Sequence, residues 1–72
     1  MNKIPERLRL LRKGKKLYQK DMVNLLNITE RQYNSYEAGK VDLGVSKLIF
    51  LADYFDVSLD YLVGRSDNSG RL

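Results

Sequence analysis

The 72-residue chain contains no cysteine and no histidine. Lack of cysteine excludes a disulfide framework and thiolate metal sites, and lack of histidine removes the commonest general base and metal ligand. No Gly-rich phosphate loop and no clustered carboxylate pair stands in for them, so neither an enzyme nor a bound metal or cofactor is expected. No apolar run approaches the ~20 residues of a membrane span, and the N-terminus MNKIPERLR lacks the apolar stretch of a secretory signal. A cytoplasmic protein without a membrane partner or small-molecule ligand is the expectation. A chain of this length allows one domain with one core, burying about 60% of its unfolded surface.

Acidic residues are scarce at one end. Residues 1–20 carry Lys3, Arg7, Arg9, Arg12, Lys13, Lys15, Lys16 and Lys20 against Glu6 alone, a balance of +7, while the remainder sums to −3. A basic block of this kind is the footprint of a polyanion-binding face, because phosphate neutralisation supplies most non-specific nucleic-acid affinity. Solubilising charge is the other reading. Membrane-surface binding is discounted, since Ile4, Leu8 and Leu11 form the apolar stripe of a first helix that the core needs.

The apolar periodicity predicts an all-α fold of five helices, with no strand, repeat or low-complexity linker. Helix 1 is expected from about Pro5 to Lys13, with Gly14 breaking it. Leu17 should pack inward. Helix 2 spans Gln19 to Leu26, with Met22, Val23 and Leu26 inward and Lys20, Asp21 and Asn24 left to solvent. Thr29 and Gln32 form a capping box at the start of helix 3, which ends by Ala38 with Gly39 at positive φ. Helix 4 runs from about Val45 to Phe55 on the stripe Leu48, Leu51, Ala52 and Phe55, and Ser58 caps a short helix 5 that Gly64 stops. This places a folded domain at residues 1–65 and a flexible polar tail at 66–72, within the stretch RSDNSGRL.

The pair of short helices from Gln19 to Gly39, joined by a tight polar turn, has the layout of a DNA reader. On helix 3, Tyr33 and Tyr36 point back toward helix 2, whereas Glu30, Arg31, Asn34 and Ser35 point away. That outward set suits base-edge readout, since Arg forks onto guanine, Asn onto adenine, and a carboxylate accepts from cytosine. Any solvated helix face also carries such residues, and the macrodipole alone favours Glu30 in a first turn.

Arg12, Leu17, Gln19, Thr29, Tyr33, Tyr36, Glu37 and Gly39, followed by LADYFDVSLDYLVGRSDN, resemble the Xre family, the helix-turn-helix regulators of the Cro and phage-repressor type. The resemblance covers about Ile4 to Asn68. It implies a compact five-helix, lambda-repressor-like domain whose third helix enters the major groove of an operator. It also implies that Gln19 contacts a phosphate and braces helix 3, and that Arg12 pairs with Glu37 in a structural role. Three positions depart from the family pattern: Tyr18 stands where a Ser or Thr usually caps helix 2, Asn27 replaces the turn Gly, and Leu43-Gly44 replace a Pro-Ser pair. Tyr18 cannot cap, so helix 2 should fray or Gln19 must satisfy its amides. Asn27 tolerates the left-handed conformation and should preserve the turn.

The resulting site expectation has Glu30, Arg31, Asn34 and Ser35 on base edges, with Arg31 and Asn34 leading. Gln19, Thr29, Lys15, Lys16 and Lys40 are expected on the backbone, with Arg9 and Lys13 joining them if helix 1 is turned that way. Phe50, Tyr54, Tyr61 and Val63 exceed what one small core takes, so helices 4 and 5 are expected to form a homodimer reading a palindromic operator. Tyr rings lying along their own domain are the alternative. The leading function is a transcriptional regulator, a repressor by occupancy. The competing one is an antitoxin-like interaction module, which a toxin-neutralising arm longer than RSDNSGRL would have supported.

Overall fold

The computed structural model describes residues 3–70. It contains five helices: α1 (Ile4–Gly14), α2 (Gln19–Leu26), α3 (Glu30–Glu37), α4 (Val45–Phe55) and α5 (Leu59–Leu62), with no strand among the described residues. α1 packs on both α3 and α5, α2 on α3, and α4 on α5. Leu8 of α1, Met22 of α2, Tyr33 of α3, Leu51 of α4 and Leu62 of α5 are fully buried, so every helix contributes one large side chain to a single core. Each such burial is worth about 1.5–3 kcal/mol. The α4 stripe of Leu48, Leu51, Ala52 and Phe55 is buried as its spacing predicts. Two loop residues complete the core: Leu43 before α4 and Val57 before α5.

All five helices stop by one device. A single left-handed residue follows the last turn, and the amide just after it bonds back five residues, as in Leu17 N–H to Arg12 O (3.0 Å), Ile28 to Val23 (3.2 Å), Lys40 to Ser35 (3.0 Å), Val57 to Ala52 (3.0 Å) and Arg65 to Asp60 (2.8 Å). The left-handed residues are Lys16, Asn27, Gly39, Asp56 and Gly64, with φ between 55° and 86°. Asn27 therefore holds the helix-turn-helix bend, as expected. Gly14 does not break α1. It is the last helical residue, and Lys16 takes the left-handed conformation instead. At Gly64 the lack of a side chain is also a packing requirement, because a Cβ there would lie 2.6 Å from the Lys3 Cβ.

The start of α2 is resolved differently from either expectation. The Asp21 carboxylate accepts from the Tyr18 backbone amide at 2.7 Å, which supplies the reciprocal half of a capping box, while Gln19 turns elsewhere. Asp21 is exposed, as expected, but its carboxylate also reaches back to the N-cap amide, while its own amide, which a Ser or Thr at position 18 would accept from, bonds the Tyr18 carbonyl instead (3.0 Å). At α3 the box is complete: Gln32 N–H donates to Thr29 Oγ1 (3.1 Å) and Thr29 N–H to Gln32 Oε1 (3.0 Å).

The segment expected as a flexible tail is laid back on the fold as far as Ser69. Arg7 of α1 donates to Asp67 Oδ1 (2.7 Å) and to the carbonyls of Ser66 (3.2 Å) and Tyr61 (3.3 Å), and its guanidinium lies 4.0 Å over the Tyr61 ring. Ser58 N–H donates to Ser69 O at 3.1 Å. Arg71 and Leu72 lie outside the described residues.

Candidate nucleic-acid interface

Helix α3 is held from behind by a polar cluster centred on Glu37, which is 5% exposed. Its carboxylate accepts from Arg12 Nε (2.7 Å) and Nη2 (3.4 Å) of α1, from Gln19 Nε2 (3.1 Å) of α2, and from the Tyr33 hydroxyl. Burial by itself would raise the Glu37 pKa, but the hydrogen bonds from Arg12, Tyr33 and Gln19 outweigh it and hold the carboxyl below the usual range. The bond to Glu37 raises the Arg12 pKa, and burial followed by the Glu37 bond pushes the Tyr33 phenol strongly upward. Three helices thus share one buried, fully partnered charge. Arg9 adds a cap: its Nη2 donates to the Glu37 main-chain carbonyl at 2.8 Å, satisfying the C-terminal end of α3.

With its inner face fixed, α3 presents its outer face as an open recess of 560 Å³ lined by Glu30, Arg31, Asn34, Ser35, Ala38 and Lys40. A smaller cleft of 200 Å³ beside it is lined by Gln19 and Lys20 at the start of α2, by Val23, and again by Glu30 and Asn34. The fold therefore brings the four expected base-edge residues onto one surface, with Lys40 at one border and Gln19 at the other. Ser35 is less free than its position suggests, because its hydroxyl donates to Arg31 O at 2.9 Å. Thr29, Lys15 and Lys16 line neither depression. Thr29 is engaged in its cap, and Lys15 sits 5.7 Å over the Tyr54 ring of α4.

The basic block of the first twenty residues is not one face. Arg7 and Arg12 are buried, Arg9 caps α3, and Lys3 lies 3.9 Å from Asp67. Lys13, Lys15, Lys16 and Lys20 remain exposed. Counting charges along the chain merges these classes, because α1 turns its arginines toward α3 and α5 at successive turns. Sequence reasoning also passed over Ala38 and Lys20. Ala38 lies two helical turns after Arg31 and so on the same stripe, which periodicity alone can reveal.

On helices α4 and α5 the apolar side chains divide. Tyr61 and Val63, expected at an interface, are half-buried and packed against the core. Val45, Ile49, Phe50, Tyr54 and Leu59 are the exposed ones. Phe50 and Tyr54 stack on each other, and no helix among the described residues is long and apolar enough to cross a membrane.

A bundle whose second and third helices meet across a left-handed Asn turn, with a polar third helix turned outward, defines a helix-turn-helix protein. The family model described as a helix-turn-helix domain matches residues 6–67, and the chain belongs to that family, within its Xre-like transcriptional regulators. Two curated relatives are uncharacterized HTH-type transcriptional regulators of Bacillus subtilis (strain 168). YobD is 38% identical over 63 residues, covering 88% of this chain and 56% of its own, and YqaE is 41% identical over 63 residues, covering 88% and 54%. The chain thus spans about half the length of the curated relatives it matches. Among solved structures, a transcriptional regulator from Listeria innocua superposes with a TM-score of 0.83 at 36% identity, over 89% of this chain and 60% of that one.

Proposed function

We propose that this protein binds double-stranded DNA in a sequence-specific manner, with α3 in the major groove, and regulates transcription as a repressor by occupying promoter DNA. The observation that carries the reading is the α3 recess, where Glu30, Arg31, Asn34 and Ser35 converge on one open surface. Arg31 and Asn34 are the principal base readers. Gln19, Thr29, Lys15, Lys16 and Lys40 contact the backbone, Gln19 from a side chain already tethered to Glu37. The polar cluster behind α3 supports this role, because a base reader must be held in one orientation.

Two copies pair through exposed apolar residues of α4 and α5, and the resulting two-fold matches a palindromic operator with half-sites about one helical turn apart. Such a protein acts in the cytoplasm, where its target is.

Selection from a random duplex library tests the reading. An enriched palindrome bound ~10³-fold more tightly than random DNA is expected, weakened by Arg31→Ala and Asn34→Ala, and Lys40→Ala should lower the salt slope by about one unit. Salt-sensitive binding without enrichment would overturn the reading in favour of an interaction module that grips another protein through α4 and α5.

A further inference from the structure

The outer face of a helix is ordinarily convex, yet that of α3 is hollowed between Arg31 and Lys40. Two short residues make the hollow. Ser35 has its hydroxyl proton committed to Arg31 O at 2.9 Å, so it offers a Cβ and an acceptor but no donor. Ala38, exposed just past the end of α3 with helical dihedrals (φ −84°, ψ −8°), offers only a methyl group. The depression therefore has an apolar patch flanked by the cations Arg31 and Lys40, with Glu30 and Asn34 also on its wall.

A partner that fits must carry a small apolar knob flanked by hydrogen-bond acceptors or negative charge. On the major-groove edge of DNA only one base presents such a knob, the C5-methyl of thymine. We propose that Ala38, together with the Ser35 Cβ, forms a seat for a thymine methyl and makes this end of α3 select thymine, while Arg31 engages a neighbouring base and Lys40 the adjoining phosphate. This inference rests on the DNA reading above and adds a specificity residue to it. It divides the helix into a half that reads by hydrogen bonds, at Glu30, Arg31 and Asn34, and a half that reads by shape.

The experiment takes the duplex enriched by selection and replaces each thymidine by deoxyuridine in turn, deleting one methyl without touching the pairing edge. Wild-type protein should lose about 4-fold in affinity at one position per half-site, the value of one buried methyl. Ala38→Gly, which removes the methyl, and Ala38→Asn, which fills its place with an amide, both at an exposed position and checked by thermal melting, should reduce the deoxyuridine penalty at that position toward unity. An enriched duplex with no deoxyuridine-sensitive position overturns the inference and leaves the DNA reading standing. A penalty that persists undiminished in both variants does the same. Absence of any enriched duplex overturns the DNA reading, and the inference falls with it.

Discussion

Arg7 and Arg12 stand five residues apart on α1, are equally buried, and have each found a carboxylate at 2.7 Å, yet the two ends of the helix are built differently. Arg12 meets Glu37, whose side chain is 6% exposed and which also accepts from Gln19 and Tyr33. Arg7 meets Asp67, whose side chain is 90% exposed, and leans for the rest on the Tyr61 ring and two main-chain carbonyls. An arginine's burial thus says little about what its ion pair contributes. What counts is whether removing the partner strands a charge away from water.

Breaking the inner pair should have the largest effect. Glu37→Ala strands the Arg12 guanidinium and removes the acceptor for Gln19 and Tyr33, so a loss of about 3–5 kcal/mol is expected in urea unfolding. A variant as stable as wild type would show that water reaches Arg12. Acid should mimic part of that substitution. Because the folded Glu37 pKa is depressed, its stabilisation is fully present above the unfolded carboxylate value and is lost as pH falls through the lower folded value. Unfolding free energies measured from neutral pH down through the carboxylate range should decline, with a smaller decline in Glu37→Gln.

Arg7→Ala comes next, at about 1–2 kcal/mol, since it deletes the cation and its ring contact but strands no charge. Hydrogen exchange at the Ser58 amide, which donates to Ser69 O, should rise with it, because Arg7 holds the returning segment. The smallest effect belongs to Asp67→Asn, under about 0.5 kcal/mol and weaker still in high salt, because its carboxylate is hydrated already. A double-mutant cycle on each pair sharpens the contrast: the coupling energy for Arg12 with Glu37 should exceed that for Arg7 with Asp67.

The same contrast explains what was legible beforehand. The bounds of α2 and α4 follow from apolar spacing and from caps a few residues away, and they agree with the structure. The Thr29 box and the left-handed Asn27 and Gly39 are likewise local, and so are the four outward residues of α3. Less legible were the features whose partners are distant in sequence. Arg7 pairs sixty residues away with Asp67 and Arg9 caps α3 from twenty-eight residues away, and neither leaves a periodic signal. The Arg12–Glu37 pair was anticipated only through the family resemblance, not from spacing. Tyr61 and Val63 were assigned outward for the same reason: whether an apolar residue at the edge of a helix is covered depends on which neighbour lies across it.

By itself the sequence determined the five helices, most of their stops, the polar stripe of α3 and the absence of side chains for thiol or imidazole chemistry, because these depend on residue type and on interactions within one or two helical turns. Only the tertiary structure decided which cations are internal and which remain on the surface, that Asp21 rather than Gln19 serves the start of α2, and that Ser35 and Ala38 open a recess beside Arg31. Those outcomes turn on desolvation and on geometry between side chains, which exist only once the chain has closed on its core.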